Sequence, residues 1–432
     1  MLLIQTIVLF TVLACLFINF RLGLAMYISY FLLVPFPAID FYGIKFSILV
    51  LNIIVVMSYL CKYKLWFDFS VIKPLLVLYL LWFAETIFQD NMAFAIQYRF
   101  FYEDLLVIFV LPTIICSAAK LDSKILKYCV VSIVVSSVII IVYNFVLYWI
   151  PDINPYVIQM SLEHNVELRM GQFDFQGRMG LEKRLSSVFP HPMNFGIYLG
   201  LLMVFVIHMA KDNKKYLYFT FIIIISIFIS GVRTTMAAFF IVVLFYLLLV
   251  RKFSYFSFAL VGVLGLYILA SYWFPSLIST LNSFGADTEE SGGSSIGMRI
   301  EQFYGCIAEI RDNPLWGKGY AWSKAYIGEN ISHPVIKCFE SLLFSVLCDY
   351  GWIGLTFFIG CFYWMFRQIH IAFIDNQINR YILYCLWVFY LSYAFITGDY
   401  GYMKYTMLFF SILYCSLMYR DSDSKTAQIT SI

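Results

Sequence analysis

Arginine residues beside long apolar runs are the residues of this sequence best suited to chemistry. Arg233 follows the short turn 230–232 (Ser-Gly-Val), which separates two apolar runs, and Arg184 and Arg299 precede further helical patterns. A charge at the centre of a membrane span costs at least ~2.5–3.5 kcal/mol, so such a residue should face a partner or a watery cavity. The planar guanidinium forms paired hydrogen bonds with phosphate, which predicts a phosphate site. Snorkelling of Arg233 to lipid headgroups is the alternative.

Two carboxylates near these arginines are candidates for proton transfer. Glu340 is followed by Ser341, and an acid at this position could take a proton from a sugar hydroxyl. Asp349 competes for the same role, and Glu85 is a further candidate. The alternative for Glu340 is a solvated helix face.

Weaker candidates for substrate contacts lie in the same parts of the chain. His191 and Asn194 lie at the start of the apolar run 191–209, and they could instead anchor a helix at the membrane interface. Arg299 could instead form a surface ion pair with Glu301, which would contribute little. The weaker candidates are His191, Asn194, Arg311, His333, Trp316 and Tyr320, of which the two aromatic residues could stack on sugar rings.

The composition predicts an integral membrane protein. Hydrophobic residues make up 62% of the 432 residues and charged residues only 13%, whereas a soluble domain is about a quarter charged. The net charge of +3 is too small to indicate nucleic-acid binding. The ten cysteines show no paired metal-ligand spacing, and only Cys306 and Cys338 lie where an oxidising compartment could join them.

The apolar runs predict an all-α bundle of about 12–13 spans, because a helix needs roughly 20 apolar residues to cross a bilayer. The first run is interpreted as a span and not as a cleaved signal, because no basic segment precedes it. The predicted spans are 2–20, 22–36, 44–60, 71–89, 104–119, 125–149, 191–209, 216–231, 233–250, 255–273, 350–367, 380–396 and 403–419.

Basic residues recur at every second connection from the third span onward, which predicts that these connections and the C-terminus are cytoplasmic. The whole chain, 1–432, is then a single membrane domain with two large external loops, 150–190 and 274–349. Within the second loop, apolar residues recur at helical spacing between Ile300 and Ile310. A further surface helix is predicted at about 335–348.

Four stretches together resemble the O-antigen polymerase and O-antigen ligase superfamily of bacterial envelopes. They are 184–194, 230–233, 299–319 and 340–354, the last with Glu340-Ser341, nine residues and Gly-x-x-Gly. The resemblance implies a membrane glycosyltransferase fold in the bacterial cytoplasmic membrane and a donor carried on undecaprenyl pyrophosphate at its outer face. It also implies a reaction without metal or other cofactor, with Arg233, Arg299 and Arg184 holding the pyrophosphate. Further implied partners are membrane lipid and a chain-length regulator protein.

One departure from the family pattern favours a polymerase over a ligase. Ligases have a histidine where this sequence has Glu340, whereas Ser341 and the glycines fit. The predicted function is therefore polymerisation of lipid-linked repeat units into O-antigen or a related surface polysaccharide. Transfer of polymer to lipid A-core by a ligase is the alternative within the family, and a flippase of lipid-linked sugars is the alternative of another class.

Overall fold

The computed structural model describes residues 2–34, 39–41, 44–46, 48–63, 66–89, 93–149, 154–163, 185–211, 213–251, 296–326, 339–399 and 401–429. Two three-residue strands, β1 (Ile39–Phe41) and β2 (Ile44–Phe46), pair antiparallel. The helices are α1 (Leu2–Ile18), α2 (Phe20–Leu33), α3 (Ile48–Lys62), α4 (Lys73–Ala84), α5 (Phe94–Asp104), α6 (Val110–Leu121), α7 (Lys124–Trp149), α8 (Pro155–Glu163), α9 (Pro192–Met209), α10 (Lys215–Ile229), α11 (Arg233–Val250), α12 (Ile296–Glu309), α13 (Leu342–Ala372), α14 (Gln377–Thr397) and α15 (Met403–Ile429).

This element order confirms the prediction of an all-α polytopic bundle, to which the described residues add one short β-hairpin. Among these residues six helices are long and apolar enough to cross a membrane: Phe94–Leu121, α7, α9, α11, α13 and α14. Four shorter helices are also apolar, at Leu3–Ile18, α2, α3 and α10. The predicted span 255–273 lies outside the described residues.

Small polar side chains hold the helices together inside the bundle. Ser137 of α7 shares a hydrogen bond of 2.7 Å with the Tyr198 hydroxyl, and the Asn144 amide donates to the Ser226 hydroxyl at 3.1 Å. On the opposite face of α7, apolar residues such as Val131 are exposed. Apolar surface outside and paired polar groups inside are expected for helices surrounded by lipid.

The predicted span 104–119 is too short. The helix begins at Phe94 and continues through a π-helical segment, Leu105–Phe109, to Leu121. The polar side chains of its first turns lowered the hydropathy of this part of the sequence. One of them, Gln97, is buried and accepts the Tyr320 N–H, and Asp104 at the end of α5 is partly buried and accepts the Tyr320 hydroxyl.

The helices define two ends of the bundle. The bond from Asn144 to Ser226 places the C-terminal ends of α7 and α10 side by side. At this end, called the site end below, α9 and α11 begin and α14 finishes, since Tyr393 near the end of α14 bonds to Met193 at the start of α9. The opposite end contains the turns near Asn19, Asp122 and Asn376. Most of the predicted cytoplasmic lysines lie at this opposite end.

The predicted division between a helix at 335–348 and a span at 350–367 is found at Gly351, one residue into the predicted span. Helix α13 (Leu342–Ala372) breaks there into two helical parts, because Gly351 has the non-helical angles φ 61° and ψ −161°. The kink frees backbone groups, and the segment 314–319 pairs with them. Its four bonds are Trp352 N–H to Pro314 O, Ile353 N–H to Leu315 O, Lys318 N–H to Cys348 O and Gly319 N–H to Asp349 O, at 2.9–3.1 Å.

Gly351→Ala is expected to destabilise the protein, and Gly360→Ala in the same helix is not. A Cβ on Gly351 would lie 2.5 Å from the Leu315 carbonyl oxygen and 2.6 Å from that of Pro314, and the positive φ adds strain of about 1–3 kcal/mol. A Cβ on Gly360 meets nothing within 4 Å. Thermal unfolding of the purified variants in detergent should show a lower melting temperature for Gly351→Ala alone. Equal melting temperatures for both variants would contradict this account of the kink.

Helix α12 confirms the helical pattern found between Ile300 and Ile310. Its large apolar residues point outward, since Ile300 is 51% and Tyr304 67% exposed. The inward face carries Gln302 and Cys306, which are buried. An apolar face directed away from the protein suits a helix lying in the membrane interface. Cys306 is a free thiol, and its predicted partner Cys338 lies outside the described residues.

Candidate active site

The turn before α11 fixes the position of Arg233. Gly231 has φ 65°, a conformation that glycine adopts without strain, and the Ser230 carbonyl accepts the Leu185 N–H at 3.1 Å. Arg233 is the first residue of α11 and is only 9% exposed. A guanidinium at this position opposes the helix macrodipole, and an anion bound there would offset both positive charges.

The start of α9 lies beside this turn. His191 caps the helix, because its Nδ1 accepts the Met193 N–H at 3.1 Å, and Pro192 follows at the first helical position. This contact supports the helix-anchor interpretation of His191. Asn194 has a buried side-chain oxygen with no hydrogen-bond partner among the described residues.

The last turns of α14 bring three other helices together. The Tyr393 hydroxyl donates to the Met193 carbonyl of α9 at 2.8 Å. Gly196 of α9 has no room for a Cβ, because Thr235 of α11 and the Tyr393 hydroxyl occupy that space. One turn further along α14, the Ile396 carbonyl accepts a hydrogen bond of 3.0 Å from Arg299 Nη2 of α12. The two predicted arginine segments therefore meet at the end of α14.

Arg299 and Glu340 form an ion pair at the same place. Arg299 Nη2 lies 3.7 Å from Glu340 Oε2, and both side chains are largely shielded, with 28% and 22% exposure. Arg299 Nε is buried and has no partner among the described residues. The guanidinium therefore retains unused hydrogen-bonding capacity next to a candidate general base.

Gln302 is a positioning residue that sequence reasoning missed. It is 4% exposed, and its side-chain oxygen accepts the Glu340 backbone N–H at 2.9 Å. Its spacing of three residues from Arg299 places both on one face of α12. That spacing, in a helix whose other face is strongly apolar, was the signal available in the sequence.

Three buried polar atoms around the end of α14 lack a partner in the described part of the chain. They are Asn194 Oδ1, Thr235 Oγ1 and Arg299 Nε. A buried polar atom without a partner costs about 1–3 kcal/mol. Arginine and threonine can donate and the asparagine oxygen accepts, so these atoms are complementary in kind to phosphate oxygens and sugar hydroxyls.

The carboxylate of Asp349 is occupied by hydrogen bonds within the protein. Asp349 is 5% exposed, and Ser323 donates to both of its carboxylate oxygens, through the backbone N–H at 2.8 Å and the hydroxyl at 2.9 Å. These bonds hold the segment before Tyr326 against the kink of α13. Because both oxygens are occupied, Glu340 is better placed than Asp349 to accept a proton.

The weaker aromatic and arginine candidates are not gathered at the Arg299–Glu340 pair. Tyr320 is fully buried, and its hydroxyl donates to Asp104 at 2.9 Å, so its ring has no face open to a sugar. Trp316 is half-buried and stacks on Phe88, with ring centroids 4.4 Å apart. Arg311 is exposed beyond the end of α12. Arg184 and His333 lie outside the described residues.

Two further acidic groups lie at the site end: Asp399, which the sequence analysis did not select, and Glu85, which it gave as a further candidate. Asp399, in the turn before α15, accepts the Tyr390 hydroxyl and the Tyr402 N–H, each at 2.6 Å. Burial raises the pKa of the Asp399 carboxyl, although these hydrogen bonds favour its charged form. Glu85 is 2% exposed and packs against Gly354, and neither carboxylate oxygen has a partner in the described ranges. No described contact joins it to the arginines.

The comparisons with known proteins agree with this arrangement. A family model described as O-antigen ligase matches residues 217–359. This range contains Arg233, Arg299 and Glu340, and three of the four stretches that carry the resemblance. A search of curated proteins finds no match to the chain. The predicted resemblance to the O-antigen ligase and polymerase superfamily is confirmed over residues 217–359, where the chain is similar to this family model.

Proposed function

We propose that this protein is a glycosyltransferase that polymerises oligosaccharide repeat units carried on undecaprenyl pyrophosphate. The observation that supports it most is that the segments of Arg233, Arg299 and Glu340 meet around the end of α14. Three polar atoms buried there have no partner among the residues that the structure describes. The family match supports an enzyme of surface polysaccharide assembly in a membrane. The product is O-antigen or a related polysaccharide.

The reaction exchanges one bond to the anomeric carbon for another. The growing chain on its lipid is the donor, and a hydroxyl at the non-reducing end of a new lipid-linked unit attacks its anomeric carbon. The bond from this carbon to the pyrophosphate oxygen breaks, undecaprenyl pyrophosphate leaves, and the hydroxyl proton passes to Glu340. Because pyrophosphate is already a good leaving group and no nucleotide takes part, the proposed reaction uses no metal.

Arg233 and Arg299 stabilise the departing pyrophosphate, with Arg184 as a further candidate. Negative charge grows on the phosphate oxygen as the bond breaks, and fixed donors in a partly dry site stabilise that charge by several kcal/mol. The N-terminus of α11 adds its own positive dipole. Of the weaker candidates for substrate contacts, Asn194 has the most favourable environment, because its buried side-chain oxygen has no partner among the described residues.

The ion pair between Arg299 and Glu340 is the state of the site to which the donor binds. A pyrophosphate has more oxygens and more charge than one carboxylate, and the pair is long at 3.7 Å. The donor therefore displaces Glu340 from Arg299 and leaves the carboxylate free to accept the acceptor's proton. This exchange orders the reaction, with donor binding before proton transfer.

The active site faces the periplasm. The lysine-rich turns lie at the opposite end of the bundle, and short basic connections stay in the cytoplasm. The large loops 150–190 and 274–349 and the site end are then external, and the C-terminus is cytoplasmic. A chain-length regulator would contact this external side.

Deletion of the gene distinguishes the polymerase assignment from the ligase assignment. Loss of a polymerase should leave lipopolysaccharide with a single repeat unit on its core, because ligation continues without polymerisation. Loss of a ligase, the second candidate because the matched family is described by that activity, should leave full-length polymer on the lipid carrier. Gel analysis of lipopolysaccharide together with extracted lipid-linked sugars distinguishes the two, and accumulation of full-length carrier-linked polymer would contradict the polymerase assignment.

A further inference from the structure

A pocket at the opposite end of the bundle has no part in the proposed reaction. Its volume is about 630 Å³, within the range of about 300–1,000 Å³ typical of ligand pockets. The turn between α1 and α2, the end of α3 and the turn between α6 and α7 enclose it. Its lining residues are Ile18, Asn19, Phe20, Arg21, Lys62, Tyr63, Leu121 and Asp122.

The charged groups of the pocket leave a cationic surface. Arg21 and Lys62 carry two positive charges against the single negative charge of Asp122, a net of +1. Asp122 accepts a hydrogen bond from Arg21 Nε, which fixes the guanidinium, and it also interacts with the Tyr63 phenol. The two terminal nitrogens of Arg21 and the Lys62 ammonium form no ion pair within the described ranges.

Two lining residues of the pocket are exposed aliphatic side chains. Ile18 is 83% exposed and Leu121 is 51% exposed, and both lie at helix ends. Cationic nitrogens and exposed aliphatic side chains in one lining match a molecule with an anionic headgroup and a hydrocarbon tail. A free inorganic anion would use only the first of these features.

We propose that this pocket binds the headgroup of an anionic phospholipid. The Arg21 terminal nitrogens and the Lys62 ammonium contact the phosphate, while Ile18 and Leu121 contact the upper part of the acyl chains. Basic pockets between membrane helices on the cytoplasmic side are suited to anionic headgroups. The lipid would join the α1–α2 pair to α3 and the α6–α7 turn, so its binding should stabilise the bundle.

The test uses the purified full-length chain, stripped of lipid in detergent, and its thermal unfolding with added phosphatidylglycerol. Phosphatidylglycerol should raise the melting temperature, whereas phosphatidylethanolamine and inorganic phosphate should not. Lys62→Gln should weaken the apparent affinity for phosphatidylglycerol, read from the lipid concentration that gives half of the stabilisation, about fivefold. The reason is that one lysine near an anionic surface contributes about 1 kcal/mol. Lys62→Glu should weaken it further. Both substitutions leave the Arg21–Asp122 pair intact.

Lys215→Gln is the matched control, because Lys215 is exposed at the same end and lies outside the pocket. It should respond to phosphatidylglycerol like the unsubstituted protein. An equal response of Lys62→Glu and the unsubstituted protein would overturn the proposal. Equal stabilisation by phosphatidylethanolamine would show that the site does not select for charge. Equal stabilisation by inorganic phosphate would show that the site binds anions and not a lipid. Either result would also overturn the proposal.

Discussion

Replacement of Arg233 by alanine is expected to abolish long-chain polysaccharide in cells that depend on this protein. Removal of one preorganised donor to a developing oxyanion typically lowers a rate by about 10²–10³-fold. Arg233→Lys should restore part of the product, because lysine keeps the charge but loses the planar fork. The chain-length distribution on a lipopolysaccharide gel measures the effect.

Arg311→Ala is the control for the loss of an arginine at the site end. Arg311 is exposed, and no described contact joins it to the Arg299–Glu340 pair, so near-normal chains are expected. Arg233 is only 9% exposed, so the amount and melting temperature of each variant must be measured alongside. Normal levels of long chains with Arg233→Ala would show that the role given to Arg233 is wrong.

Glu340→Gln is expected to lower polymerisation by about 10²–10⁴-fold without weakening the binding of the lipid-linked donor. The rate falls because the amide cannot accept the acceptor's proton. Donor affinity should stay equal or rise, since the neutral amide no longer competes with pyrophosphate for Arg299. Binding of a lipid-linked oligosaccharide to purified protein, measured beside polymer formation, separates the two effects.

The control for Glu340 is Glu301→Gln. Glu301 is an exposed acid on α12, two residues from Arg299, and its loss should change neither quantity. Asp349→Asn should mainly destabilise the protein, because it alters the two bonds from Ser323. A fully active Glu340→Gln variant would remove Glu340 as the general base, and weaker donor binding by that variant would contradict the displacement of Glu340 from Arg299 by the donor.

The sequence predicted most helices of the fold but not the long-range contacts that fix their ends. Lipid selects apolar surface over whole spans, so α7, α9 and α11 match their predicted ranges closely. The first turns of α5 were missed because polar side chains such as Gln97, which is buried, lowered their hydropathy. The break near Gly351 was predicted, but its pairing with the distant segment 314–319 was not, because no local pattern contains it.

In the candidate site, too, single residues could be predicted from the sequence, whereas their long-range contacts could not. Arg233 and Arg299 could be selected from the sequence because charge beside apolar runs is costly wherever it lies. Their meeting at the end of α14 depends on the Ile396 carbonyl and Tyr393, which carry no distinctive signal. The sequence already favoured Glu340 over Asp349, and the contacts of Ser323 add the physical reason, because they occupy both carboxylate oxygens of Asp349.

The side of the membrane on which α12 lies tests the central claim most directly, since the lipid-linked donor is presented outside the cytoplasm. The variant Glu301→Cys, in a chain whose ten native cysteines are replaced by serine, is treated with a membrane-impermeant maleimide in intact spheroplasts. The account predicts labelling of this cysteine in intact spheroplasts and labelling of a cysteine at Lys215 only after lysis. Labelling at Glu301 only after lysis would place Arg299 in the cytosol, away from the donor, and would contradict the account.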